Sequence, residues 1–180
     1  MKTELEIVQD VSRKLQSANI LYMLTGSMAM NYYAVPRMTR DIDLVVEVLE
    51  RNIPVIVNLF EKEYYIESEA IRLAIQSEKL FNAIHEESFI KVDFIIRKSN
   101  SYRKEEFSRR QKVLFGNFET YIVSKEDLIL SKLLWSKSSK SDMQKRDIKN
   151  LINSGYDRLY LDEKADSLLV KDWLEEIKNE

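Results

Sequence analysis

The 180-residue chain contains no cysteine, so a disulfide framework, a zinc ribbon and a thiol nucleophile are all excluded. It has only three glycines and two prolines, too few for a loop-dominated or disordered protein, while 44% apolar residues supply a real core. No apolar run approaches the roughly twenty residues that span a bilayer. The opening "MKTELEIVQDVSRKLQ" is an amphipathic acidic-basic pattern rather than a secretory leader, so a soluble cytoplasmic protein with no membrane partner is expected. Its length is that of one ordinary domain, or of one domain with a small helical appendage.

The net charge of −2 conceals an asymmetry. Residues 1–96 carry ten basic and fifteen acidic side chains, residues 97–149 fourteen and seven, and residues 150–180 four and eight. A basic middle between acidic flanks is a possible footprint for a polyanion or a triphosphate, or simply a solvated surface, since order in sequence is not a patch in space.

Apolar periodicity predicts a helix over 3–18, where Leu5, Val8, Val11 and Leu15 fall on one face. A short strand at 20–25, a helix at 27–33, a strand at 42–48 and a helix at 50–62 follow, with Pro54 tolerable in a first turn. Residues 64–79 read as mixed, and "KLFNAIHEESFIKVDFII" as two strands joined at Glu86-Glu87-Ser88. The polar run after it reads as surface, and Gly116-Asn117 breaks a hairpin. Helices are expected at 124–137, 141–153 and 162–178, with Ser124 and Asp127 forming a capping pair. The expected fold is α+β (mixed α/β): a mixed sheet flanked by helices over 1–123, completed by a helical part over 124–180.

One stretch carries chemistry: "TGSMAMNYYAVPRMTRDIDLVV", Thr25 to Val46. Asp41 and Asp43 lie two apart on a strand and so share a face. Two carboxylates that close repel one another unless a cation lies between them. Asp93 is a third acid, inside the apolar strand "IKVDFII". If that strand neighbours 42–48, three carboxylates meet, as a pair of hard cations about 3.5–4 Å apart requires. Magnesium fits best, because it takes a few carboxylates and completes its shell with water and phosphate. Gly26 and Ser27 lie between a strand and a helix, where free N–H groups and the helix dipole favour an anion. Each part alone is commonplace; a Gly-Ser turn usually only turns, and a D-x-D usually only starts a strand.

In combination these residues resemble the nucleotidyltransferase superfamily (polymerase beta-like fold). The Arg37-Met38-Thr39-Arg40 segment, "SKEDLILSKLLWSK" and "KRDIKNLI" are most similar to the AbiEii/AbiGii-type nucleotidyltransferase toxin family. The resemblance covers about residues 20–153, with Ala34 departing from a position where relatives often have glycine. It implies a Mg²⁺-dependent enzyme that moves a nucleoside monophosphate from an NTP to a hydroxyl and releases pyrophosphate. Asp41, Asp43 and Asp93 would then be catalytic metal ligands, with Asp93 helping to deprotonate the acceptor. Gly26 and Ser27 would hold the triphosphate. Arg37 and Thr39 beside the acids, and Lys132 further on, would also belong to the nucleotide site. Asp147 would be either part of that site or the partner of a structural ion pair with Lys132 or Arg146. The acceptor implied by the toxins is RNA, the tRNA 3′ end, together with a neutralising antitoxin. The alternatives are a hydroxylated small molecule, as for antibiotic-modifying nucleotidyltransferases, or a nucleotide-binding module without catalysis. His85, the single histidine, is given no role, and Tyr32 and Tyr33 read as helix packing.

Overall fold

The computed structural model describes residues 1–137, 139 and 141–179. The chain divides into two compact units, Met1–Met28 with Met38–Val123, and Ala29–Arg37 with Ser124–Glu180. Among the described residues no helix is long and apolar enough to cross a membrane.

The first unit is built on a seven-stranded mixed sheet in the order β3-β4-β5-β2-β1-β7-β6. Its strands are β1 (Leu21–Thr25), β2 (Asp41–Glu47), β3 (Tyr64–Tyr65), β4 (Leu80–His85), β5 (Lys91–Ile96), β6 (Gln111–Phe115) and β7 (Phe118–Ile122). β2 is antiparallel to β1 and parallel to β5, and it lies between them at the centre. Alternation along β2 sends Ile42, Leu44 and Val46 to a buried face and leaves Asp41, Asp43, Val45 and Glu47 on the other. In-register partners share a face, so Tyr22, Leu24, Val92 and Phe94 join the buried set. Phe94 stacks on Phe81 with ring centres 4.9 Å apart and meets Phe60 edge-on at 5.4 Å.

Helix α1 (Glu4–Ser17) packs on β1 and β7 through Ile7, Val8, Val11 and Leu15. Its start is a capping box: Thr3 N–H donates to Glu6 Oε2 at 2.7 Å, and Glu6 N–H donates to Thr3 Oγ1 at 3.3 Å. A buried hydroxyl chain ties it to the sheet, with Ser12 Oγ 2.9 Å from Thr120 Oγ1 and Tyr22 Oη 3.0 Å from the same atom. Leu5, expected on the inner face, is instead exposed at the margin of the stripe.

Several elements depart from the sequence expectation. The helix expected over 50–62 is a 3-10 turn, Glu50–Asn52, leading into α3 (Ile53–Phe60), with Pro54 in the first turn. The mixed segment resolves into β3 and α4 (Ser68–Ser77). The polar run contains α5 (Ser101–Ser108), whose first turn is capped by Asn100 Oδ1 accepting from Arg103 N–H at 2.9 Å.

The second unit contains the last residues of α2 (Gly26–Tyr33), then α6 (Lys125–Ser136), α7 (Asp142–Asn153), α8 (Arg158–Ser167) and α9 (Lys171–Asn179). α6 packs on α7 and α8, and α9 packs on α7 and α8. Ser124 starts α6 by accepting from Asp127 N–H while its own hydroxyl donates to Asp127 Oδ2 at 2.6 Å. The single helix expected over 162–178 is two helices. They are broken at Leu168–Val170, where Leu169 takes a left-handed φ of 57° without the help of glycine. Leu161, Ala165, Val170, Trp173, Leu174 and Ile177 are buried around the break.

Candidate active site on the sheet

The register of β2 and β5 decides where the acids lie. Asp43 is paired directly with Asp93, and Asp41 with Lys91. All four side chains therefore project from one face of two adjacent strands. Asp93 is 8% exposed, and its Oδ1 has no hydrogen-bond partner. Its Oδ2 accepts from Lys91 Nζ at 2.9 Å, and the same ammonium lies 3.8 Å from Asp41 Oδ1. The hydrogen bond to Asp93 and the surrounding acids raise the Lys91 pKa above its ordinary value, against a smaller opposing effect of burial, so Lys91 is firmly cationic.

Asp43 is positioned from the neighbouring strand. β1 ends at Thr25, the pairing partner of Asp43, and the chain turns at once into α2 through Gly26, whose φ is 62°. A Cβ on Gly26 would overlap the Asp43 carboxylate, so only glycine both adopts this turn and leaves room for the acid. The carboxylate is thus seated at the amino end of α2, where the helix dipole favours negative charge. Ser27 is half-buried in the first turn of that helix. Thr39 Oγ1 lies 3.4 Å from the Asp41 carbonyl oxygen just before the acids, and Arg40 is exposed.

Among the described residues no three Asp, Glu, His or Cys side chains converge into a closed metal cage. Asp41, Asp43 and Asp93 share a face, and Asp43 and Asp93 a register position, but an ammonium rather than a converged set of oxygens fills the space beside Asp93. The donor set nevertheless fits a hard divalent cation. It is all oxygen, one buried oxygen is unpartnered, and the position already holds a positive charge. At the other end of β2 and β5 lies a cleft of about 430 Å³, lined by residues that include Val46, Glu47, Ile96 and Arg97. It includes none of the three acids.

Arg37, Lys132 and Asp147 form a separate group within the second unit. Arg37 grips Asp147 with two hydrogen bonds, Nε to Oδ1 at 3.0 Å and Nη2 to Oδ2 at 3.1 Å. Lys132 Nζ donates to Asp147 Oδ2 at 2.8 Å and to Gln144 Oε1 at 3.2 Å. Asp147 and Lys132 are buried. Burial opposes ionisation of Asp147, but the hydrogen bonds from Arg37 and Lys132 outweigh it and hold the carboxyl below its ordinary range. Arg37 is itself fixed by the Asn31 side chain, which accepts from its N–H and donates to its carbonyl, both at 2.9 Å.

His85 is buried at the end of β4. Its Nδ1 accepts from Ser88 N–H at 3.2 Å, and its ring meets Tyr64 edge-on. Tyr32 and Tyr33 pack edge-to-face at 5.0 Å. Lys91 is the site residue that motif reading passes over. Its signal was present, since a residue two before Asp93 on a strand must share its face.

No known family profile and no curated protein sequence matches the chain. Solved structures do match in fold. The lincosamide antibiotic adenylyltransferase LnuA, with lincomycin bound, is 17% identical over 83% of this chain and 96% of its own, with a TM-score of 0.58. ANT(2")-Ia in complex with adenylyl-2"-tobramycin is 14% identical over 97% and 98%, with a TM-score of 0.61. An antigenic nucleotidyltransferase-like protein from Paracoccidioides brasiliensis is 19% identical over 84% and 75%, with a TM-score of 0.55. The fold is therefore nucleotidyltransferase-like, a seven-stranded mixed sheet flanked by helices with helices following it.

Proposed function

We propose that this chain is a nucleotidyltransferase that moves a nucleoside monophosphate from an NTP to an acceptor hydroxyl. The observation that carries the reading is the in-register pairing of Asp43 with Asp93, which puts Asp41, Asp43 and Asp93 on one face beside the Gly26 turn. Asp41, Asp43 and Asp93 would hold magnesium. When bound, the metal would neutralise phosphate charge and polarise the α-phosphate. The N–H groups at the start of α2, with the Ser27 hydroxyl, are donors for triphosphate oxygens. The acceptor oxygen forms a bond to the α-phosphorus, and the bond from that phosphorus to the β-phosphate oxygen breaks. Pyrophosphate leaves with that electron pair, and Asp93 takes the hydroxyl proton.

The Arg37–Asp147–Lys132 group is an ion-pair network that fixes its own unit, because both cations are already committed to a buried carboxylate. A small hydroxylated acceptor is favoured over RNA. The solved structures of similar fold include the lincosamide antibiotic adenylyltransferase LnuA with lincomycin bound and ANT(2")-Ia in complex with adenylyl-2"-tobramycin. Part of the basic charge of residues 97–149 is also neutralised locally. Arg97 pairs with Glu47, Arg103 with Glu106, Lys112 with Glu119 and Lys132 with Asp147. The toxin-type reading, with a tRNA 3′ end as acceptor and an antitoxin partner, is the second arm of the test.

The experiment incubates the protein with each labelled NTP and Mg²⁺, in the presence of aminoglycosides and lincosamides or of total tRNA. Label on a small molecule that disappears in Asp41→Asn and Asp43→Asn is the expected result. Label on tRNA would move the acceptor to RNA. No transfer to either class with any NTP would defeat the enzymatic reading.

A further inference from the structure

We propose that Lys91 is a resident cation of the acid cluster, an ammonium that neutralises Asp93 and Asp41 in the resting protein and that a divalent metal must displace. The inference rests on the reading of these acids as metal ligands and adds a regulation of their occupancy. Its basis is the sheet itself. Pairing of Asp41 with Lys91, and of Asp43 with Asp93, alternates three acids and one base on two adjacent strands of one face. The Lys91 ammonium reaches two of the acids, Asp93 two residues along the same strand at 2.9 Å and its cross-strand partner Asp41 at 3.8 Å.

Two features separate this ammonium from an ordinary surface ion pair. Asp93 is buried, its side chain 12% exposed, and its second oxygen has no hydrogen-bond partner, so Lys91 carries the neutralisation of a nearly buried charge. The Lys91 side chain, by contrast, is 41% exposed, so its flexible stem has a route into water when the ammonium is released. A dication on Asp93 and Asp41 would stand within a few ångströms of that ammonium. The repulsion makes the two occupants exclusive. Metal binding is then an exchange in which one positive charge leaves as two arrive, and the affinity is lower than the acids alone would give. For a half-exposed cation, screened by solvent and salt, the reduction is about tenfold.

Mn²⁺ binding to the full chain, followed by electron paramagnetic resonance, tests this with wild type, Lys91→Met, Lys91→Arg and Asp43→Asn. Lys91→Met is expected to bind Mn²⁺ about tenfold more tightly than wild type, and Lys91→Arg, which keeps the charge, to stay near wild type. A merely structural lysine would do the opposite, since its loss would loosen the site. Lys91→Met binding Mn²⁺ no more tightly than wild type, while Asp43→Asn abolishes binding, overturns the resident cation and leaves the metal site standing. Wild type and Lys91→Met that bind no Mn²⁺ at all overturn the metal reading, and this inference with it. If Lys91→Met fails to fold, Lys91→Gln carries the same comparison. Its melting temperature should then rise more on adding Mn²⁺ than that of wild type.

Discussion

Gly26 combines two constraints that are usually met separately. The backbone turns there with φ at 62°, and the volume a side chain would occupy is filled by the Asp43 carboxylate. Alanine would incur the left-handed penalty of about 1–2 kcal/mol and would also push Asp43 from its seat. Gly26→Ala is therefore expected to lose more than the about 1–2 kcal/mol of backbone strain alone in a denaturant titration, and to lose Mn²⁺ binding even where it remains folded. Gly116 makes a useful contrast. Its φ is 65°, but a Cβ there meets only the flexible end of Leu5, so Gly116→Ala tests backbone strain without disturbing an acid.

Among the elements, α6 and α7 are joined by more than apolar contact. Asp147 on α7 accepts from Lys132 on α6 and from Arg37 after α2, which places a buried carboxylate under two cations. Asp147→Asn removes the anion and leaves Lys132 buried without its charge partner, a change expected to cost about 3 kcal/mol. The pH dependence has a definite sign. The folded pKa of Asp147 is depressed, so its contribution is fully present above the ordinary carboxylate range and fades as acid carries the pH down through the folded value. Denaturant titrations at pH 7 and near pH 3 should show the gap between wild type and Asp147→Asn narrowing in acid. Equal gaps at both pH values would remove the ion pair as the cause. The α8–α9 break obeys a different logic. Leu168-Leu169-Val170 has neither glycine nor proline, so apolar periodicity reads through it, and the interruption comes from packing Leu161, Ala165, Val170 and Trp173 inward.

Across the whole molecule, the mixed sheet and the two acid-bearing strands were legible because their patterns are local. Alternation along "DIDLVV" and the apolar run "VDFII" declare strands, and spacing of two declares a shared face. Strand order was not legible. Nothing local joins Leu24 to Ile122, whose parallel pairing brings β7 beside β1 from almost a hundred residues away. Helix α5 was hidden because it buries only Glu106 and Phe107 among its eight residues, and α4 because it buries only Ile71 and Ala74. The charge run misleads in a related way, since sequence reports the sign of a side chain but not its partner. With Arg97, Arg103, Lys112 and Lys132 paired to carboxylates, tRNA should bind weakly and with a shallow salt dependence. No gel shift is expected with total tRNA at about 1 µM protein in 0.15 M salt. A tight shift would restore the RNA acceptor.

The parallel pairing of β2 with β5 has a consequence for how the gene tolerates change in length. Ile42, Leu44 and Val46 and their partners Val92, Phe94 and Ile96 lock the two strands from the opposite face. A codon inserted between Glu86 and Phe89 alters only the connection and leaves the pairing of the acids intact. One inserted between Lys91 and Asp93 turns every later side chain of β5 over, so that either Asp93 or the apolar row faces the wrong way. Length variation among natural or engineered forms of this chain should therefore gather in the β4–β5 connection and stop at Lys91.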